Sequence, residues 1–402
     1  MVIKVFAMKN TGIYIHIPFC VKKCNYCDFN SGPYSDEVKA LYTDALLKEL
    51  HIKAPFFKDS VIDTVFIGGG TPSILPVQLM GKIFESLRSD YDICENAEIT
   101  IESNPGTLDL EKLKSYRSFG INRLSIGLQS TVDEELKILG RIHNFNDFLN
   151  SYDLARKAGF ENINVDLMNS IPDQTYDSFI EGLKRIKELS PEHISVYSLI
   201  LEEGTPFYDM KLNLPDEDTD REMVHSIIDV LKDYRQYEIS NYSKTGSECR
   251  HNIKYWKRDD YQGFGVSAAS LFDNDLRFKN IDDINEYIDF FNKDESILKD
   301  HYSNVFVSKN VIPDSDNIFS EFELLSEEDI ISEYIILGLR MNEGIDLNLF
   351  EKAFNKSLFD LKSDKINLHI SEGLLERKGD MIMLTERGRD LGNYVWADFL
   401  GD

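Results

Sequence analysis

Six short runs rich in β-branched and apolar residues recur along the first half of the chain, and they restrict the folds open to it. They are Gly12–Pro18 (GIYIHIP), Thr64–Ile67 (TVFI), Glu98–Ile101 (EITI), Arg123–Leu128 (RLSIGL), Asn162–Leu167 (NINVDL) and His193–Leu199 (HISVYSL). Stretches with helical spacing lie between them. Val38, Leu41, Tyr42, Ala45 and Leu46 follow the i, i+3, i+4, i+7, i+8 pattern, and Phe145, Phe148, Leu149 and Tyr152 follow most of it. Gly120 and Gly159 stand where helices would stop. This alternation predicts an α/β protein with a parallel sheet and outer helices, either open and doubly wound or closed part-way into a barrel.

In both architectures ligands sit at the carboxyl ends of the strands. The first run leads into FCVKKCNYCDF (Phe19–Phe29) and the second into GGGTPS (Gly68–Ser73). Glu102 follows the third, Gln129 ends the fourth and Asp166 ends the fifth. A single polar residue at a strand end is adequately explained as a cap or turn, and Ser130 and Asn104 are read that way. Five polar strand ends on one rim predict a site.

Three of the 5 cysteines, Cys20, Cys24 and Cys27, form C-x3-C-x2-C, while Cys94 and Cys249 are distant. An odd, low cysteine count argues against a disulfide framework. The opening MVIKVFAMKN is too short and mixed for a secretory signal, and no apolar run approaches the roughly 18 residues that span a bilayer. A cytoplasmic, reducing setting is expected, in which thiolates remain available to metals. A redox pair would use Cys24 and Cys27 and leave Cys20 unexplained. Zinc needs a fourth ligand, for which His16 is at hand, although it shares a strand face with Tyr14. A [4Fe–4S] cluster usually takes four thiolates, so three leave one iron open to an outside ligand. Spacing favours the cluster and leaves zinc open.

The chain has 402 residues, more than one typical core, so a large domain with smaller ones is expected. Its 70 acidic and 44 basic residues give a formal charge of −26. That excess repels phosphate backbones and anionic membranes, and nucleic acid is not an expected partner.

C-x3-C-x2-C after the first strand, followed by GGGTP after the second, resembles the radical S-adenosylmethionine superfamily. IHIPFCVKKCNYCDF, GGGTPS, INRLSIGLQS, LGRIH and NVDLMNSIPDQT further resemble, in order and spacing, the anaerobic coproporphyrinogen III oxidase-like group, over nearly the whole chain. The resemblance implies a partial (β/α)6 TIM-like barrel with a small α+β winged-helix-like C-terminal domain. It divides the chain into a tail (1–11), the barrel (12–240), a connecting region (241–320) and the C-terminal domain (321–402). It implies a [4Fe–4S] cluster on Cys20, Cys24 and Cys27, whose open iron chelates S-adenosylmethionine, and contacts to that cofactor from Tyr14, Gly69, Gly70, Thr71, Glu102, Gln129, Arg141 and Asp166. Cleavage of the cofactor by the reduced cluster releases a 5′-deoxyadenosyl radical, and an electron donor is implied as a partner. Where relatives read DLIYGLP or DLIFGLP, this chain reads DLMNSIP, with Ser170 in place of glycine.

The group divides into an oxidase and a heme chaperone. The oxidase pattern adds a cysteine two positions after the third, where this chain has Phe29, and carries a long amino-terminal extension, where this chain has about a dozen residues. His251-Asn252-Ile253-Lys254-Tyr255-Trp256 resembles the chaperone subfamily's heme-binding HNxxYW. The resemblance implies heme held by His251, Tyr255 and Trp256, with His251 the leading iron ligand and Cys249 a second candidate. Arg250, Lys254 or Lys257 would pair with the propionates. Read from residue chemistry alone, the segment is a packed connection before YQGFGVSAAS. The expected function is a heme carrier that delivers heme to acceptor proteins and meets a membrane only peripherally, through an acceptor. The alternative is oxygen-independent decarboxylation of coproporphyrinogen III. Whether the protein acts as an enzyme, and whether it forms a homodimer, stay open.

Toward the carboxyl end, Asp282–Phe291 is predicted helical, and Asp300 to Phe319 has weak periodicity and is read as an insertion or linker. From Ser326 a helix, a turn at Asn342-Glu343-Gly344, a second helix and a hairpin around Lys378-Gly379-Asp380 suggest the winged-helix-like unit. Its acidic setting favours a packing or lid role over DNA binding.

Overall fold

The computed structural model describes residues 9–310 and 317–400; residues 1–8 of the expected tail (1–11), and residues 311–316 of the stretch read as a linker, lie outside the described residues, while Lys9–Thr11 of that tail begin the first strand. Strands β1 (Lys9–Ile17), β2 (Ser60–Gly69), β3 (Ile93–Ser103), β4 (Arg123–Gln129), β5 (Asn162–Asn169) and β6 (His193–Ser198) run parallel, each beside the next. The period of two in β1 explains its placement. Ile13, Ile15 and Ile17 are fully buried under the outer helices, whereas Tyr14 and His16 face the lumen side and line a cavity there.

The outer helices form where the spacing predicted them. Asp36–Lys53 starts at Ser35, whose side chain accepts from Val38 N, and buries Tyr42, Ala45, Leu46 and Leu50. Leu41, expected on that stripe, is instead exposed, so the buried face is narrower than the pattern suggested. Phe145–Lys157 starts with a reciprocal capping box between Asn144 and Asp147 and buries Phe148, Tyr152 and Ala155.

The sheet continues past the six parallel strands. Short β7 (Arg235–Gln236) and β8 (Asn241–Ser243) extend the β6 edge antiparallel. On the other edge β9 (Tyr261–Phe264) joins β1 in parallel, followed by antiparallel β10 (Ala269–Phe272), β11 (Leu276–Asn280) and β12 (Phe319–Leu324). The described residues thus form one 12-stranded sheet. In the chain between β8 and β9 lies the helix Arg250–Lys257, which carries the HNxxYW segment. Glu98 of β3 accepts from Arg250 N at 3.0 Å and His251 N at 3.1 Å, a carboxylate at the positive end of that helix.

The stretch read as weakly periodic is largely helical: Glu295–Ser308 buries Leu298, Tyr302, Val305 and Phe306. Its stripe begins before residue 300, which hid the period. The expected boundary at 320/321 falls inside β12.

A second core, built around Ile335, Phe350, Ile366, Ile382 and Val395, supports the C-terminal domain. A three-stranded sheet orders β13 (Ile345–Asp346), β15 (Met381–Leu384) and β14 (Leu375–Lys378), with the hairpin turning at Gly379. Helix Glu327–Gly338 of this domain packs toward the sheet, where Arg258 and Arg277 meet Glu333. Among the described residues no helix is long and apolar enough to cross a membrane.

Candidate functional site

The strand ends surround a cavity of about 440 Å³ lined by Cys20, Cys24, Cys27, Gly69, Gly70, Glu102, Gln129, Arg141 and Asp166, among others. Two of the expected cofactor residues stand apart. Thr71 lies behind this cavity, and Tyr14 lines its neighbour.

The cysteine loop is held at its base and middle. Phe19 is fully buried, edge-on to Tyr34 and Tyr42 with ring centroids 5.8 and 5.3 Å away. Cys20 N donates to Gly32 O at 2.9 Å, and Asn25 Nδ2 donates to Ile138 O at 2.8 Å. All three thiols are free and partly exposed. Cys20 Sγ lies 3.5 Å from Thr71 Oγ1, and Arg141 Nη1 donates to Cys24 Sγ at 3.5 Å. Burial pushes the Cys27 thiol up to about 11, and a metal favours the thiolate against that cost.

Asn104, read as a turn residue, does accept from Thr107 N at 3.2 Å across a turn, and its side chain is also a cross-link. It accepts from Arg141 Nη2 at 2.7 Å and donates to Thr71 Oγ1 at 2.9 Å, while Arg141 also donates to Gly127 O. Arg141 Nε is buried with no partner among the described residues, so the guanidinium is only partly satisfied by the protein. Ser130 does act as a local turn residue, accepting from Val132 N and donating to Glu135.

The glycine run is required by proximity. A Cβ on Gly70 would lie 2.8 Å from Phe19 O and 3.0 Å from Cys20 Sγ, and Gly69 has φ +110°. Ser170 has φ +60°, the left-handed region that explains glycine there in relatives; its hydroxyl bonds to Asp220.

Two half-buried carboxyl groups face the cavity from neighbouring parts of the sheet. Glu102 Oε2 accepts from Gly69 N at 3.2 Å, and burial, with the Asp166 charge adding to it, pushes Glu102 up to about 8. Asp166 accepts from Asn164 Nδ2 at 2.7 Å and Ser125 Oγ at 3.1 Å, and burial raises it too.

His16 is not a fourth ligand. Its Nδ1 pairs with Tyr14 Oη at 3.0 Å and its Nε2 with Asn30 O at 2.9 Å, and it lines the neighbouring cavity. Among the described residues no three His, Cys, Asp or Glu side chains converge as they would on one metal ion. Three partly exposed thiols on one loop, beside close-approach glycines and a partly satisfied arginine, fit an iron–sulfur cluster with an aminoacyl ligand.

The neighbouring cavity is larger, about 840 Å³, and shares Asp28, Phe29, Gly69 and Glu102 with the first. Its walls are aromatic, from Tyr14, Phe66, Tyr255, Trp256 and Tyr261, and Arg258, Arg277 and Lys279 also line it. His251, expected to reach the iron, does not line this cavity. It is fully buried, stacked on Phe66 at 5.4 Å, with Nδ1 on Thr64 Oγ1 at 2.8 Å and Nε2 on Tyr255 Oη at 2.9 Å. Burial, with the Lys254 charge, pulls it down to about 3, so it is a neutral imidazole. Cys249 is likewise fully buried against Glu98.

The expected propionate partners point elsewhere: Lys254 pairs with Asp63 at 2.9 Å, Arg250 donates to Asn96 O at 2.9 Å and Lys257 approaches Glu343 at 3.4 Å. The cations that line the cavity were not singled out from the sequence. Arg258 directly follows Lys257, and Arg277 and Lys279 alternate with buried Leu276 and Phe278 in β11. That alternation was the available signal.

Comparison with known proteins identifies the family and the fold. Residues 14–186 match the radical SAM superfamily, and residues 325–391 match the HemN C-terminal domain. The chain is 34% identical over 399 residues to the heme chaperone HemW of Bacillus subtilis, covering 97% of this chain and 99% of that protein. It is 34% identical over 400 residues to the heme chaperone HemW of Haemophilus influenzae, covering 97% of each. Among solved structures, coproporphyrinogen III oxidase (HemN) from Escherichia coli, described as a radical SAM enzyme, superposes with a TM-score of 0.81. That match spans 98% of this chain and 90% of the other at 24% identity, a likeness of fold. The chain belongs to the heme chaperone HemW family, within the radical SAM superfamily.

Proposed function

We propose that this protein carries heme in the aromatic cavity, holds a [4Fe–4S] cluster and S-adenosylmethionine in the thiol cavity, and passes heme to acceptor proteins. The observation that carries the reading is adjacency: the two cavities share Gly69 and Glu102 as a common wall. Cys20, Cys24 and Cys27 hold the cluster, and Gly69, Gly70, Glu102, Gln129, Arg141 and Asp166 surround the aminoacyl and ribose parts of the cofactor. When bound, this pair supplies one-electron chemistry, for which a protein electron donor is needed. Arg141 and Asn104 hold the cysteine loop against the glycine run, and Glu102, neutral when buried alone, can ionise beside a cationic amino group. Tyr14 stands on the far side of the shared wall.

For the cargo, Tyr255 and Trp256 offer flat apolar faces to a porphyrin, and Arg258, Arg277 and Lys279 are cations in reach of its carboxylates. His251 serves by fixing the Tyr255 hydroxyl. The test is a paired assay on anaerobically reconstituted full-length protein. Iron and acid-labile sulfide should appear together, and heme titration should give a saturable Soret band that weakens in Trp256→Ala. Failure of heme to bind saturably, with conversion of coproporphyrinogen III to protoporphyrinogen IX, would replace the carrier reading by the oxidase one.

A further inference from the structure

The charge balance at one end of the aromatic cavity is incomplete, and a carboxylate from the C-terminal domain fills part of it. Arg258 is the left-handed residue that ends the helix Arg250–Lys257, and its side chain is only 2% exposed. Its Nε donates to Glu333 Oε2 at 2.8 Å and its Nη1 to Asn274 O at 2.7 Å, but its Nη2 is buried with no partner among the described residues. Arg277 grips the same carboxylate with two nitrogens, each 2.6 Å from an oxygen of Glu333. Glu323, opposite Arg277 on β12, is exposed. Two guanidiniums therefore share one half-buried carboxylate, an arrangement with capacity for a second anion and an orphaned donor to receive it.

Glu333 belongs to the helix Glu327–Gly338, and Leu337, one turn further along it, also lines the cavity. The helix is thus both part of the cavity wall and the element fastened by the arginines. A flat apolar cargo with carboxylates at its edge would bring to this corner the same chemical group that Glu333 supplies.

We propose that Arg258 and Arg277 are the carboxylate-binding end of the aromatic cavity, and that Glu333 is an internal stand-in which a cargo carboxylate displaces, so that filling the cavity unfastens the C-terminal helix Glu327–Gly338. This rests on the carrier reading and adds to it a link between loading and the C-terminal domain. The exchange is one carboxylate for another on the same guanidiniums, with no covalent change. The freed Glu333 moves into solvent, where its charge is hydrated.

The experiment compares iron protoporphyrin IX with its dimethyl ester on the full-length protein and on Glu333→Gln and Arg277→Gln. Arg277→Gln weakens the diacid about tenfold and leaves the diester unchanged, because only the diacid uses a charge-assisted bond there. Glu333→Gln, which removes the competitor, tightens the diacid several-fold and again leaves the diester unchanged; a purely structural salt bridge would show no such gain. In the unmodified protein, amide hydrogen exchange in Glu327–Gly338 speeds up on filling with the diacid and not with the diester. Equal binding of diacid and diester in all three proteins, or weaker diacid binding by Glu333→Gln, overturns the displacement and leaves the carrier reading intact. Absence of saturable binding of either compound to the unmodified protein overturns both.

Discussion

The backbone N–H of Gly69 donates to Glu102 Oε2 at 3.2 Å, and both residues line both cavities. The wall between the two compartments, to which Asp28 and Phe29 also belong, therefore includes a glycine backbone and one half-buried carboxyl group. A ligand that draws Glu102 to one side changes the surface offered on the other, which is a direct route for coupling two binding events.

Glu102 also gives the ligand-free protein a pH signature. Its folded value is pushed up to about 8 from an ordinary 4.5. Below about 4.5 both folded and unfolded chains hold the proton. Between about 4.5 and 8 the unfolded chain loses it first, so stability falls as pH rises, and above about 8 the difference is constant. Denaturant midpoints of the unmodified protein should fall relative to Glu102→Gln across that window and run parallel to it at higher pH. Superimposable profiles would contradict the burial assigned to this carboxyl.

Gly70→Ala should act on the cysteine loop. The added methyl meets Phe19 O, a backbone atom that cannot rotate away. A displacement costing about 1–3 kcal/mol is expected. Iron retained after reconstitution should drop several-fold and the thermal midpoint should fall by a few degrees. Unchanged iron content would mean that the loop tolerates the shift.

The free cysteines separate by position. Cys24→Ala should abolish retention of iron and sulfide, whereas Cys94→Ala, on a partly buried residue packed against the main core, should leave both unchanged at a stability cost of about 1 kcal/mol or less. Elemental analysis after gel filtration decides it.

His251→Ala should lower heme affinity by freeing Tyr255, since it removes the 2.9 Å bond to that hydroxyl and leaves Thr64 unpaired. A stability loss of about 2–4 kcal/mol accompanies it. The visible and spin-resonance spectra of bound ferric heme should keep the same ligand signature, and Tyr255→Phe should share the affinity loss. A changed axial-ligand signature in His251→Ala would instead bring the imidazole to the iron.

The rim of the first cavity was legible because each functional group follows an apolar run, and strand polarity alone brings such groups together. Cys20, Glu102, Gln129 and Asp166 needed no knowledge of side-chain partners. Asn104 does open the turn expected of it, with Thr107 N donating to its O at 3.2 Å, but its side-chain partners, Thr71 and Arg141, lie 33 and 37 residues away in sequence and were hidden from a local reading. The surroundings of His251 were hidden for a related reason: a motif shows which residues are near one another in sequence, but not that Thr64 and Phe66 of β2 enclose the ring. The cations of the second cavity come from a helix end and from one face of β11, and only pairing of that strand into the sheet aims them inward.

The parallel pairing of β9 with β1, from Gly12 opposite Tyr261 to Ile15 opposite Phe264, also sets an order of assembly. Those partners are about 250 residues apart, so the contact cannot form until the chain that builds all six barrel strands has been made. The thiol compartment can thus take shape on the ribosome before its neighbour has walls. A nascent chain has no completed aromatic cavity, and that compartment becomes a mark of a finished molecule.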